Sequence, residues 1–275
     1  MVSVSDKRIA VLIDADNVSD KYISGILDEL TKFGSPTYKR IYGDWTSTRM
    51  AAWKSVLLTN SITPIQQYSY TVGKNATDSA LIIDAMDILY SGNVDSFCIV
   101  SSDSDFTKLA ARLREAGMYV IGMGEKKTPP PFIAACEVFR YLEVLAAPSV
   151  ASPPPTAKTP MKKNDKNKSK SKPEAVPQKA EETPPPTEAA EQGMASRKTI
   201  EMVIRNIIAE ISDEDGWVAL GSVGTVLIKR YPDFDTRNYG FKQLSSFVGS
   251  YDCFELEKRP ASGSSTNTFV RNCVK

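Results

Sequence analysis

Short apolar runs alternate with segments of helical periodicity through the first half of the chain. Arg8–Asp14, RIAVLID, predicts a strand, and Ser19–Phe33 sets Tyr22, Ile23, Ile26, Leu27 and Leu30 on one helical face. Gly34 stands where a helix C-terminal cap is expected. The alternation then repeats. Strands are predicted at Thr37–Tyr42, Thr63–Tyr68, Ser96–Val100 and Tyr119–Met123, and helices at Thr48–Leu58, Ser79–Tyr90 and Phe106–Ala116. Gly122-Met123-Gly124 reads as a turn. Unbroken Ile, Val and Leu runs are the mark of strands buried on both faces of a parallel sheet. Right-handed crossovers between such strands lead to an α/β three-layer sandwich with a parallel sheet.

The pattern stops near Ala147. From there to about Ala195 the chain holds two Pro-Pro-Pro runs, a lysine-rich stretch at Lys158–Lys172 and almost no large apolar side chain. Such a segment cannot bury enough surface to offset chain entropy and reads as a disordered Pro/Lys-rich linker. Helical periodicity returns with Ile200, Val203, Ile204, Ile207, Ile208 and Ile211. A turn at Asp215-Gly216-Trp217 follows, then a helix over Leu220–Tyr231 and a third over Asn238–Val248. Cys253–Leu256 and Thr268–Val270 close the segment as a hairpin, giving a small C-terminal winged-helix-like domain. The expected organisation is 1–147, 148–195 and 196–275.

Composition narrows the class. The formal net charge is +1, so overall charge does not demand a nucleic-acid partner. Cys98, Cys136, Cys253 and Cys273 form no CxxC spacing and are expected as free thiols in a reducing compartment. The N-terminus has no long apolar core of a signal peptide, and no apolar run reaches membrane-spanning length. A cytoplasmic protein without membrane contact is expected.

The candidate chemistry is acidic. Asp14 and Asp103 lie just past apolar strands, where open α/β sheets bind ligands. Asp78 falls on the apolar stripe of its predicted helix, in the direction of Ile82, Ala85 and Leu89, with Asp84 and Asp87 on the opposite side. A carboxylate facing inward is costly unless it is paired or metal-bound. Thr77, Ser102, Asp103 and Ser104 are each candidate helix caps, so capping explains individual positions. It does not explain the group. With no histidine in the chain, gathered carboxylates suit Mg²⁺ or Mn²⁺ and the chemistry of phosphodiester cleavage. No GxGxxG follows the first strand and no GxxxxGK[ST] occurs, which disfavours a nucleotide cradle.

LIDADN at 12–17, KNATDSALIIDAMD at 74–87, SSDSDF at 101–106 and TPPPFIAACEVFRYLE at 128–143 together resemble the NYN domain, the LabA-like branch of the PIN-like nuclease superfamily. The resemblance implies metal-dependent RNA cleavage. It matches Asp14, Asp78 and Asp103 to metal-binding acids, Asn17 to an asparagine after the first of them, and Asp105 to a supporting acid. Asp44 matches loosely as a fourth. GWVALGSVGTVLIKRYPDFDTRNYGFKQLSSFV and the later FVRN resemble the LOTUS, or OST-HTH, domain, which implies binding of RNA or of a protein partner.

Candidate RNA contacts are Trp45 and Arg49 beside Asp44, Lys74 in the loop before Asp78, Arg237 and Lys242 around the third C-terminal helix, and Lys258 and Arg259 at the wing. The expected function is a metal-dependent ribonuclease with a C-terminal domain that holds RNA or a partner. The alternatives are a non-catalytic RNA-binding adaptor or regulator and, more remotely, a phosphatase or nucleotide-binding regulator.

Overall fold

The computed structural model describes residues 7–68, 76–146, 194–260 and 266–273. Residues 148–193 of the proposed linker, Lys74 and the tip of the hairpin lie outside these residues.

Six parallel strands form the N-terminal sheet: β1 (Arg8–Asp14), β2 (Ser35–Gly43), β3 (Thr63–Gln66), β4 (Ser96–Val100), β5 (Tyr119–Gly124) and β6 (Val138–Tyr141). Their order is β3-β2-β1-β4-β5-β6. The chain builds outward one way from β1 to β3, then returns to the far side of β1. The sheet therefore splits between β1 and β4, and this switch point opens a crevice at the strands' C-terminal ends.

The pleat divides the central strands between two cores. Ile9, Val11 and Ile13 pack with Cys98, Val100, Ile121 and Met123 on one face, under α1 (Ile23–Leu30) and α2 (Trp53–Asn60). Ala10 and Leu12 pack with Phe97, Ile99 and Val120 on the other, under α3 (Ala76–Ser91), α4 (Thr107–Glu115) and α5 (Pro130–Ala135). Both faces are covered, which is why these strands read as unbroken apolar runs. α6 (Leu142–Ala146) closes the first layer against α1, where Gly25 meets the Leu145 carbonyl.

Several expectations shift. The Ser19–Phe33 helix opens with a 3₁₀ turn at Asp20–Tyr22, and the second helix with one at Thr48–Ala52. Residues 122–124 are not a turn. They end β5, and Gly122 and Gly124 are small because neighbours crowd them. α5, β6 and α6 come from a stretch to which periodicity assigned no element, since each is too short to show a period.

The C-terminal domain packs α7 (Arg197–Ile211) and α8 (Leu220–Arg230) on a three-stranded sheet, β7 (Val218–Ala219), β9 (Thr266–Asn272) and β8 (Phe254–Pro260), in the order β7-β9-β8. The expected third helix is broken. Thr236–Tyr239 is a 3₁₀ turn, Gly240 takes φ 84°, and α9 covers only Leu244–Val248. That left-handed backbone suits glycine and ends the turn. Phe247 anchors the core, ringed by Phe234, Tyr239, Phe241 and Tyr251 at centroid distances from 5.1 to 5.7 Å.

Candidate functional site

Asp14 ends β1 at the switch point and is fully buried. Its Oδ1 accepts the Asp16 backbone N–H at 3.0 Å, and its Oδ2 accepts Asn17 Nδ2 at 2.7 Å and Ser101 Oγ at 2.8 Å. Ser101 follows β4, and its Oγ also accepts the Asp103 N–H at 3.1 Å. One hydroxyl thus ties the ends of the two central strands together. Burial raises the Asp14 pKa, and the hydrogen bonds from Asn17, Ser101 and Asp16 oppose that rise.

Two anchors set α3. In its first turn Thr77 Oγ1 donates to Asp16 Oδ2 at 2.9 Å. Farther along, Asp84 accepts from Arg40 and from the Tyr42 hydroxyl on β2. This corrects the helical-wheel placement of Asp84 on the outer side. A basic and a phenolic donor on β2 let a carboxylate sit between helix and sheet, beside Leu81, Ala85 and Ile88. So held, α3 brings Asp78 to Asp103 and Asp105. The three offer carboxylate oxygens that all lie within 4.8 Å of one another. Asp103 also accepts the Asp105 N–H at 2.9 Å, capping the 3₁₀ turn that starts α4.

The electrostatics follow from crowding. Asp78 is pushed up to about 6, first by burial and then by the charges of Asp14, Asp103, Asp105 and Asp16. Arg49 is a neighbouring cation, 3.8 Å from Asp16 and largely exposed. The donor set is all oxygen and acidic, with Asp78 and Asp103 half-buried and Asp105 exposed, which suits a hard divalent cation such as Mg²⁺ or Mn²⁺.

The sequence-derived metal trio was Asp14, Asp78 and Asp103. The group within mutual reach is Asp78, Asp103 and Asp105, with Asp14 beneath it holding Asn17 and Ser101. Asp44 stands apart, its pKa lowered by hydrogen bonds from Thr46 and Gln66. Trp45 is half-buried, and its Nε1 donates to the Ile65 carbonyl at 3.0 Å. In the C-terminal domain, Lys242 and Lys258 are exposed. Arg259 stacks over Trp217 and Phe269 and pairs with Glu257 at 3.0 Å. Arg237 points the other way, into ion pairs with Asp235 and Glu29.

The sequence reading took Thr77 as a helix cap and Gly124 as part of a turn, and it missed their roles here together with that of Ser101. A Cβ on Gly124 would lie 2.6 Å from the Ser101 carbonyl and 2.5 Å from Thr128 Oγ1, so the bare backbone keeps room for the strand end that carries Ser101. The two glycines of the Gly-Met-Gly run were the only trace of this in the sequence.

The NYN domain family matches residues 8–143, and the OST-HTH/LOTUS domain family matches residues 196–266. The chain carries an NYN domain followed by an OST-HTH/LOTUS domain. An NYN domain belongs among PIN-like nucleases, and LOTUS domains bind RNA, proteins or both. The two domains place the chain in a nuclease-related, RNA-handling class. An uncharacterized protein of Methanocaldococcus jannaschii is 26% identical over 123 residues, which cover 43% of this chain and 48% of that protein. The match thus spans about half the length of that relative. Among solved structures, a Vibrio parahaemolyticus protein of unknown function is 19% identical, with a TM-score of 0.42 over 50% of this chain and 94% of its own. An uncharacterized Nitrosomonas europaea protein is 32% identical, with a TM-score of 0.25 over 36% of this chain and 94% of its own. Among the described residues no helix is long and apolar enough to cross a membrane.

Proposed function

We propose that the protein is a metal-dependent ribonuclease whose NYN domain hydrolyses RNA phosphodiester bonds. The observation that carries the reading is the convergence of Asp78, Asp103 and Asp105 at the sheet's switch point, with Asp14 buried beneath. These three carboxylates would hold Mg²⁺ or Mn²⁺. Such an ion lowers the pKa of a coordinated water and offsets charge building on the phosphate.

The chain's own residues supply the positioning. Ser101 fixes the end of β4 to Asp14, so Asp103 leaves the strand in one orientation. Thr77 fixes the first turn of α3 to Asp16, which aims Asp78 across the crevice. Asn17, held by Asp14, lines the same loop. Arg49 at the rim offers a phosphate contact near the acids. In the LOTUS domain, exposed Lys242 and Lys258 and the aromatic-backed Arg259 offer contacts to an RNA strand or to a protein that delivers it. The free thiols fit a cytoplasmic setting.

The test is cleavage of a labelled single-stranded RNA by the purified chain with Mn²⁺, and its loss with EDTA. Release of inorganic phosphate from a phosphomonoester would instead favour a phosphatase. RNA binding without any metal-dependent cleavage would overturn the enzyme reading and leave an adaptor.

A further inference from the structure

Between the two domains lies a second cluster of charges unconnected with the acidic crevice. Glu29, on α1, is 4% exposed. Its carboxylate accepts Lys32 Nζ at 2.7 Å and Arg140 Nε at 3.3 Å from its own domain. From the C-terminal domain it accepts Arg237 Nη1 at 2.9 Å and Nη2 at 2.8 Å. Arg237 also binds Asp235 at 2.6 Å, and Asp235 faces Arg140 at 3.4 Å. Glu29, Asp235, Arg140 and Arg237 thus alternate in sign around one knot.

Two further bonds lie alongside. The Phe139 N–H of edge strand β6 donates to the Pro232 carbonyl at 2.8 Å. The Tyr141 hydroxyl donates to Asp233 at 2.9 Å, and Asp233 is 7% exposed. The apolar side is thin. The buried cores of the two domains share no residue, and among the described partly buried side chains only Met194, at the foot of the C-terminal domain, packs into the N-terminal one. A polar junction between separately cored domains is the kind that opens and closes.

We propose that the LOTUS domain is a charge-held, releasable clamp on the open edge of the NYN sheet, locked by Arg237 against Glu29. In the closed state the edge strand is covered and Arg237 is engaged with protein carboxylates. An uncovered edge strand is a pairing hazard, which gives the closed state a value of its own. In the open state the Arg237 fork is free for a phosphate, which it can grip with the same bidentate geometry as a carboxylate. This inference is independent of whether the NYN domain cleaves RNA.

The experiment is hydrogen exchange on the full chain, reading the Phe139 amide. In the parent protein this amide is protected by Pro232. Glu29→Arg sets a cation against Arg237, Arg140 and Lys32, and Arg237→Glu sets a carboxylate against Glu29 and Asp235. Each is expected to speed Phe139 exchange at least about tenfold while the amides of β4, at the sheet centre, keep their protection. Unchanged Phe139 protection in both variants overturns the proposal. Loss of β4 protection together with Phe139 overturns it as well, because the cluster would then support the sheet itself and not the junction.

Discussion

Two groups of buried or half-buried carboxylates have opposite surroundings. At the crevice, Asp78, Asp103 and Asp105 crowd together above Asp14, and burial with mutual repulsion pushes Asp78 up to about 6. At the domain junction, burial would also raise Glu29, yet hydrogen bonds from Arg237 and Lys32 outweigh it and hold the group at about 2. In the charged knot at the junction Glu29 and Asp235 each have basic partners, and Asp233 beside them is held by the Tyr141 hydroxyl. The crevice has carboxylates in excess, a deficit of positive charge that an external cation would fill. Burial is common to both; the partner decides whether an acid holds a fold together or waits for a ligand.

The strongest way to break this comparison is Asp103→Asn. Cleavage is expected to fall at least about a thousandfold, roughly 4 kcal/mol in barrier. The metal-free melting temperature should hold or rise, since one of several repelling charges is gone. Single-turnover rates with Mn²⁺ and a thermal melt in EDTA measure the two. A variant that keeps its rate would show that the crowded acids are not the catalytic group.

Gly124→Ala should come next. The added methyl presses on the Ser101 carbonyl, and overpacking of this kind costs about 1–3 kcal/mol. Because Ser101 joins Asp14 to Asp103, the cleavage rate should drop about tenfold or more with the acids all present. Paired urea melts and rate measurements test this, and an unchanged rate would remove Ser101 from the positioning scheme.

The junction should answer to acid. Glu29 faces Lys32 on its own helix end, Arg140 on β6, and Arg237 and Asp235 from the C-terminal domain. Its pKa is depressed in the closed state, so its contribution is full above the usual 4.5 and is lost as pH falls through about 2. Exchange at Phe139, corrected for the intrinsic pH dependence, should therefore quicken between about pH 4.5 and 2. The same run with Glu29→Gln should show a much flatter response.

The smallest effect belongs to Asp44→Asn. This surface acid is held by Thr46 and Gln66 and is not one of the three acids in mutual reach. Cleavage should stay within about twofold of the parent, well under 1 kcal/mol in barrier. A larger loss would extend the acidic site beyond its present three members.

Local pattern carried much of the fold. Ile9 to Ile13 could be read as a strand because a short unbroken apolar run is written in consecutive residues, and Asp14 could be placed at its end because the run stops there. The motifs LIDADN and SSDSDF likewise keep their acids beside the elements that position them. What lay outside the sequence's reach depends on neighbours distant in the chain. Periodicity gives a helix its apolar stripe, but it could not turn Asp84 inward. That required Arg40 and Tyr42 on β2. The choice of Asp105 as third member of the acidic group followed from how Thr77 seats α3 against Asp16, across a sheet whose strand order departs from chain order. Arg237 read as a phosphate contact because an arginine opening a helical turn offers that role locally. Its actual partner, Glu29, is 208 residues away, and only the tertiary structure, where charge must be paired as water is removed, could bring the two together.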